Sequence, residues 1–463
     1  MVKHMNNHRC TVSPISGTCS LQAKTGKLGI LIFNLLLTVT GYCFLVPDAY
    51  ADDDAVNPFW SALIGGKIHF DVRYRFEHVE DDRLSPSATP LKDVDASTLR
   101  TLLGYETGRF HDFAVTLDFV NVTKVGGSDF NDGSNGKTAY AAVVDPSNTD
   151  AEQAYLSYTG LPATELKVGR QYITYRDAPF HRFIGTILWR QNWQTFDAFS
   201  LNNKTLPDTT VNYAYIWNVN RIFGEDAPDP LGNFDSDSHL VNVQYTGLPF
   251  GKLEGYAYLL DFDNAAAFST QTYGLRFNGK QPLSEIINVL YTAEYANQSD
   301  YESNPGDIDA NYFLGELGGN IKVGNILDNL TLKFSYELLG GDGGVDRFVT
   351  ILGTNHAFQG WADRFLVTPG DGIEDFYITA VAKILGATFI ASYHNLNSDN
   401  LDYDYGDEID LLLTKTFKEH YSLGIKYAMY DADRNSVNIV RNGSNSTVTN
   451  DVDIFWAWAE FKY

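Results

Sequence analysis

Cysteine is scarce in this chain of 463 residues, and all of it lies close to the N-terminus. The three cysteines are Cys10, Cys19 and Cys43. The rest of the chain therefore has no thiol for a disulfide, a thiolate-bound metal or a cysteine nucleophile. Several classes of enzyme and metalloprotein are excluded on this ground.

Basic residues are also few, 34 against 58 acidic ones, which gives a net charge of −24. The first 51 residues hold four basic side chains and one acidic side chain, so the remainder carries −27. Such acidity argues against nucleic acid as a partner. Methionine and proline are sparse as well, whereas aromatic residues make up 14% and glycines number 39, a composition that suits long β-strands.

Long apolar runs are missing apart from one, Leu28 to Val46. Lys24 and Lys27 precede it, and Ala49-Tyr50-Ala51 follows as a small-x-small cleavage pattern. These features predict a signal peptide over residues 1–51, removed after Ala51. The alternatives are an anchoring helix that stays attached and a lipoprotein modified at Cys43, where the preceding Tyr42 is larger than such modification prefers.

The chain that follows alternates between apolar and polar residues. Apolar side chains occupy Ile68, Phe70, Val72, Tyr74 and Phe76, and charged ones stand between them. The same period of two returns near residues 113–119, 211–217, 330–338 and 421–429. It predicts strands with one apolar and one polar face. Because a dry core would not accept so many polar groups without partners, we expect the polar face to line a watery interior.

Strand and link lengths decide between a soluble sheet and a membrane barrel. We predict about eighteen strands of about ten to thirteen residues, which at ~3.4 Å per residue and a ~45° tilt cross a bilayer. Short links are predicted at residues 108–110, 160–163, 247–251, 279–284, 324–327 and 417–419. Long polar links are predicted at residues 81–96, 124–150, 221–236, 298–309, 340–374, 395–404 and 431–450. This alternation is typical of transmembrane barrels with short periplasmic turns and long extracellular loops.

The predicted fold is therefore all-β, a transmembrane antiparallel β-barrel of about eighteen strands in the bacterial outer membrane. We divide the chain into the signal peptide 1–51, an N-terminal periplasmic segment 52–66 and the barrel 67–463. The last strand places Phe455, Phe461 and Tyr463 on one face. An aromatic end of this kind is expected to be recognised by the barrel assembly machinery.

Two segments resemble the alginate-export family of outer-membrane porins. The first comprises Leu166-Lys-Val-Gly-Arg-Gln171, Arg182-Phe-Ile-Gly185, Trp189 and Gln194-Thr-Phe-Asp197. The second comprises residues 353–363, Gly-Thr-Asn-His-Ala-Phe-Gln-Gly-Trp-Ala-Asp, and residues 371–375, Asp-Gly-Ile-Glu-Asp. The resemblance implies a monomeric barrel of about eighteen strands that passes an acidic polysaccharide through a pore lined by Arg and Lys. Gln194 replaces the family's usual basic residue before Thr-Phe-Asp, so one favourable charge for a uronate is missing.

Charged residues on the polar faces are the candidates for the pore lining, because rings of charge set the selectivity of channels. Arg170 and Asp197 join them through the family motif, although alternation points Arg170 outward unless a bulge intervenes. The alternative is that these charges pair along the wall and hold neighbouring strands in register. The candidates are Arg73, Arg75, Arg100, Glu106, Asp118, Lys167, Arg170, Arg190, Asp197, Arg276, Glu294, Glu316, Lys333, Glu337 and Lys426.

Two long segments are expected to fold into the barrel and narrow it. One runs from Gln171 to Trp193 and contains Arg176, Asp177, His181, Arg182 and Arg190. The other covers residues 340–374 and contains His356 and Asp363. The alternative for both is a surface loop.

No cofactor is expected, although two acidic stretches offer oxygen atoms to calcium. They are residues 400–408, where Gly406 falls one position late for a calcium loop, and the group Glu225, Asp226 and Asp229. We favour a solvated acidic surface bridged to lipopolysaccharide by divalent ions. The other expected partners are membrane lipid and an acidic oligosaccharide or polysaccharide.

The predicted function is a passive outer-membrane channel for an anionic, alginate-like polysaccharide or a related acidic sugar. A general or small-solute uptake porin is the alternative within the same class. A barrel enzyme is disfavoured, because the histidines form no catalytic motif and His181 near Asp177 is the only local pairing. An adhesin or structural barrel with a blocked lumen is the third class.

Overall fold

The computed structural model describes residues 57–324, 326–344, 346–433 and 446–463. The predicted signal peptide with its three cysteines, and residues 52–56 of the predicted periplasmic segment, lie outside the described residues. Within the described part, a short helix α1 (Pro58–Ile64) precedes eighteen strands, all in one unit, Pro58–Tyr463. No helix among these residues is both long and apolar enough to cross a membrane.

The eighteen strands are β1 (Lys67–Asp81), β2 (Val94–Glu106), β3 (Phe113–Lys124), β4 (Asn148–Tyr158), β5 (Thr164–Gln171), β6 (Thr195–Asn203), β7 (Thr209–Asn220), β8 (Asn233–Leu248), β9 (Gly251–Leu260), β10 (Thr270–Pro282), β11 (Ile287–Asp300), β12 (Asp309–Gly324), β13 (Leu327–Leu339), β14 (Ile373–Ile384), β15 (Ala387–Asn397), β16 (Asp404–Phe417), β17 (Tyr421–Ala432) and β18 (Val452–Lys462).

Each strand pairs antiparallel with the next, and β1 also pairs with β18, so the sheet closes on itself. At the seam, the backbone N–H of Tyr463 donates to the carbonyl of Phe70 at 2.8 Å. Closure leaves no unpaired sheet edge, which a bilayer would not tolerate. The predicted antiparallel barrel of eighteen strands is confirmed.

The links alternate between short and long as predicted. Three links of the structure were not predicted from the sequence. They are the short links 204–208 and 385–386 and the long link 261–269. The sequence analysis also placed a turn from Gly279, whereas β10 continues to Pro282. The start of β1 and the end of β18 lie at the rim with the short links, because the start of β1 pairs with the end of β2 and with the end of β18.

Burial alternates along the strands in the sense expected for a membrane barrel. On β1, Asp71, Arg73, Arg75 and Glu77 are buried, whereas Tyr74 on the opposite face is exposed. Other exposed apolar side chains from all around the wall are Leu103, Leu117, Phe119, Leu275, Leu317, Phe334, Phe376 and Leu423. The polar face therefore lines the lumen and the apolar face meets lipid.

The lumen has two different halves. In the half nearest the long links, the loop half, inward side chains such as Glu337 and Ser335 on β13 are buried. In the half nearest the short links, the turn half, inward side chains of the same strand such as Lys333 and Thr331 are partly exposed.

Two segments between strands account for the difference. They are residues 172–194, the first inserted segment, and residues 340–372, the second inserted segment. The N–H of Gly185 donates to the carbonyl of Leu352 at 2.9 Å, and the N–H of Thr354 donates to the carbonyl of His181 at 2.8 Å. Because side chains of both segments also contact the inner wall, the predicted inward folding is confirmed.

Candidate pore-lining site

Arg100 is the most deeply buried base of the wall formed by β1 and β2. Its guanidinium lies 3.7 Å from the ring centroid of Trp193 on the first inserted segment. Asp71 and Glu152 flank it at 3.4 Å each. The indole and the two carboxylates provide the contacts that offset the removal of this guanidinium from water.

Arg73 and Arg75 hold the first inserted segment against β1. Arg73 donates from Nε to Gln191 at 2.9 Å and from Nη1 to the carbonyl of Leu188 at 2.9 Å. Arg75 donates to Asp145 and to the carbonyl of Trp189. Arg73 also stands opposite Arg100 in the register of β1 and β2, so the three arginines form one basic patch.

Arg190 joins both inserted segments to the wall. Its Nη2 lies 2.7 Å from Asp363 on the second segment, and its Nη1 lies 3.6 Å from Glu77 on β1. Both carboxylates and Arg190 line a cavity of about 260 Å³ together with Asp81 and Arg364. We call Arg73, Arg75, Arg100 and Arg190 the arginine layer.

Lys426 on β17 is surrounded by aromatic rings and one imidazole. Its Nζ lies 3.8 Å from the ring centroid of Trp361, 4.2 Å from that of Trp189, and 2.6 Å from Nε2 of His356. Burial lowers the pKa of His356 to about 3, although the nearby carboxylate of Asp363 opposes the shift. The neutral imidazole therefore accepts from the ammonium at Nε2 and donates from Nδ1 to Asp363, 2.6 Å away.

The opposite wall carries carboxylates that meet arginines of the first inserted segment. Arg176 lies 3.1 Å from Glu254 and 2.6 Å from Glu294, which also pairs with Arg276 at 2.8 Å. Nearby, Arg182 lies 3.0 Å from Glu337. The predicted residues Arg276, Glu294 and Glu337 thus lie on the lumen side, and their partners come from the inserted segment as well as from the wall.

The remaining predicted residues of the lumen face are spread outside the arginine layer. Lys333 and Glu316 pair at 3.1 Å between β13 and β12 in the turn half, where both are partly exposed. Lys167 lies 3.5 Å from Glu165, and Glu106 is partly exposed at the end of β2. Asp118 is buried and bonds to His69 and Gln153, at 2.7 Å each.

The prediction that Arg170 and Asp197 line the pore is wrong, because both residues lie on the outer face of the wall. Gly169 and Gln171 are buried on the lumen side, and Arg170 shares its face with exposed Val168. Asp197 stands between buried Phe196 and Ala198 and pairs with Arg170 at 2.9 Å. Alternation holds through Arg170, so the bulge needed to turn it inward does not occur there.

Three buried acids were not predicted to lie in the lumen, and one of them, Glu408, was assigned to the acidic stretch 400–408 that was expected to be solvated. On β16, Glu408 accepts the N–H of Ala362 at 2.6 Å and Asp410 accepts the N–H of Trp361 at 3.2 Å. Both occupy the polar positions of that strand, so alternation alone signals them. Asp145 lies in a long link without periodicity, and only the folded chain brings it to Arg75.

His181 and Asp177, the local pairing named for an enzyme, have different surroundings. His181 is buried, which lowers its pKa, whereas Asp177 is exposed, and no hydrogen bond joins the two in the described chain. No group of three His, Cys, Asp or Glu residues in the described ranges is arranged to hold a metal ion. Loop-bound calcium stays a prediction.

The closed barrel, its apolar outer face and its charged lumen define a channel of the bacterial outer membrane. The family model for alginate export matches residues 66–332. The match covers more than half of the chain, which therefore belongs to the alginate export family.

Solved structures share the fold at low sequence identity. OccAB4 of Acinetobacter baumannii is 13% identical with a TM-score of 0.61, over 86% of this chain and 98% of that one. OpdK of Pseudomonas aeruginosa with vanillate is 14% identical with a TM-score of 0.61, over 86% and 98%. OccK9 (OpdG) of P. aeruginosa is 12% identical with a TM-score of 0.63, over 87% and 100%. A search of curated proteins found no match.

Proposed function

We propose that this channel passively conducts an acidic polysaccharide, or a shorter acidic sugar, of the uronate type. The observation that carries the proposal is the arginine layer. Arginine presents a planar fork of donors that matches a carboxylate, and buried guanidinium groups in a narrow passage attract anions more strongly than hydrated ones. Membership of the alginate export family supports the same class of substrate.

Unused hydrogen-bond donors strengthen the proposal. The buried Nε atoms of Arg75 and Arg100 have no hydrogen-bond partner among the described residues. Nη1 of Arg100 and Nη1 of Arg190 make only long contacts, at 3.4 Å to Asp71 and 3.6 Å to Glu77. A carboxylate that displaced these acids would gain donors that are held by weak contacts. Neighbouring acids such as Glu77 and Asp363 compete for the same arginines, which favours release as well as capture.

A small carboxylate taken up from outside is the second candidate. The inserted segments bury the inward side chains of the loop half, which favours a narrow passage over a wide one. One of the similar solved structures is that of OpdK with vanillate, which is a small carboxylate. This candidate uses the same arginine layer and differs in the size of the solute.

Single-channel recording in planar bilayers tests the proposal, with ion selectivity and block by an oligouronate as the measurements. We expect anion preference and uronate block in the native channel, weaker block in Arg100→Gln, and native behaviour in Arg170→Gln. Arg170 is a matched control because it is also ion-paired but lies on the outer face.

Block by vanillate without block by oligouronate would favour the small-solute candidate. Cation preference without any block would contradict both. Folding of each variant is checked by its heat-dependent mobility on gels.

Three further expectations belong to this proposal and need their own tests. We expect a monomer, delivery by the barrel assembly machinery, and acidic outer loops bridged to lipopolysaccharide by divalent ions. Glu225 in the link 221–232 illustrates the last point, because repulsion from Asp150 and partial burial raise its pKa. A divalent ion would relieve that repulsion.

A further inference from the structure

Trp458 occupies the lumen wall beside the arginine layer, level with Arg75 in the strand register. It lies on β18, between Gly424 of β17 and Arg75 of β1 in the strand register. Its neighbours along β18 on the same face are Trp456 and Glu460. Trp456 is fully buried, whereas Trp458 remains partly exposed, so only the second ring is open to a solute.

The orientation of this ring is set by the glycine beside it. A Cβ added to Gly424 would collide with the six-membered ring of the Trp458 indole, so the indole lies across the place where a side chain would stand. On the side of the arginine layer, Trp189 meets it edge-on at 5.7 Å and 88°. Trp458 therefore lies along the wall with support on two sides.

The groups around the ring suit a sugar. Pyranose rings carry an apolar C–H face that packs on an aromatic ring, while their hydroxyls and carboxylates need polar partners at the edge. Arg73 and Ser422 stand opposite Glu460, the next inward residue of β18. A solute leaving or approaching the arginine layer along this wall meets the indole face and these polar groups together.

We propose that Trp458 is a stacking platform for one pyranose ring of the transported saccharide, directly beside Arg75 of the arginine layer. This inference rests on the proposed function for its substrate class. It adds recognition of the sugar ring itself, which the arginines, as carboxylate ligands, do not supply.

Block of single channels by two probes tests the platform. The probes are an oligouronate and a neutral oligosaccharide of equal length. Trp458→Ala is expected to shorten the residence time of both probes by roughly 2- to 12-fold, the range of one aromatic contact. Arg100→Gln is expected to affect the oligouronate alone. Trp60→Ala is the control, since Trp60 is exposed on α1 outside the strands.

A second variant keeps the indole and moves it. Gly424→Ala is expected to displace the ring and to shorten the residence time as Trp458→Ala does, while the channel still folds and conducts. Gly319→Ala is its control, because a Cβ there meets no atom within 4 Å.

The outcomes separate this inference from the function on which it rests. If Trp458→Ala leaves both probes unaffected while Arg100→Gln weakens uronate block, the platform is overturned and the function stands. If only the neutral probe blocks the native channel and Trp458→Ala removes that block, the platform stands and the uronate function fails. If neither probe blocks the native channel, both are overturned.

Discussion

The two halves of the lumen are built from the same strands and the same alternation, yet they differ in how far their charged side chains are exposed to water. In the loop half, Glu337 of β13 pairs with Arg182 of the first inserted segment at 3.0 Å, and each side chain is only 1% exposed. In the turn half, Lys333 and Glu316 pair at 3.1 Å with side chains 32% and 16% exposed. The strand sequence places a charge on the lumen face, and the inserted segments decide whether that charge is buried.

This difference has an energetic consequence. Removing charges from water costs several kcal/mol per ion, so a buried pair is stable only when both partners and their hydrogen bonds are present. A hydrated pair contributes little, because water and salt screen it. The loop half should therefore be sensitive to single substitutions, and the turn half should be tolerant.

The largest effect is expected from removing the second inserted segment. Replacing residues 346–366 with a short Gly/Ser linker removes Asp363, His356 and Trp361 from the lumen, so single-channel conductance should rise several-fold. Replacing residues 302–307, a largely exposed part of the link between β11 and β12, with the same kind of linker is the control and should leave conductance near the native value. An unchanged conductance in the first variant would show that this segment does not narrow the passage.

The next effect compares one ion pair from each half. Arg190→Ala removes the arginine that pairs with Asp363 and leaves Glu77 with Arg75 as its remaining cation. It should lower the free energy of unfolding by ~3–5 kcal/mol. Lys333→Ala should lower it by ~1 kcal/mol or less. Urea unfolding in lipid vesicles measures both, and equal losses would contradict the distinction between the halves.

The smallest effect is a pH dependence confined to the loop half. Because the pKa of His356 falls from 6.5 to about 3 on folding, the unfolded state binds the proton first as pH drops. Stability is thus retained above pH 6.5 and is lost progressively below it, by ~2 kcal/mol at pH 5.

His356→Gln should lose less stability between pH 7 and pH 5 than the native chain. His420→Gln is the control, since His420 lies in the exposed link after β16. Parallel pH profiles for the native chain and His356→Gln would disprove this role of the imidazole.

Alternation made most of the barrel predictable, because a strand with one lipid face and one water face repeats every two residues. The strand number, the wall residues Arg73, Arg100 and Glu337, and the inward segments all followed from it or from the motif. The same alternation predicted that Arg170 faces outward, whereas the family motif placed it in the pore lining. The structure confirms the outward position.

The ion-pair partners that charged side chains find across the lumen could not be predicted from the sequence. The contact between Arg75 and Asp145 joins residues 70 positions apart through a link with no period. The contact between Arg190 and Asp363 joins residues 173 positions apart. Such pairs depend on how long links pack against the wall and against each other, and the local sequence does not determine that packing.

The seam between β1 and β18 determines when Trp458 and the arginines of β1 come together during assembly. Trp458 stands on the last strand, and the first strand supplies Arg73 and Arg75 beside it. An incompletely assembled chain holds these groups apart, at opposite ends of an open sheet. The proposed recognition of substrate on this wall therefore requires a closed sheet, so the proposed selectivity and the sealed wall form in the same step of assembly.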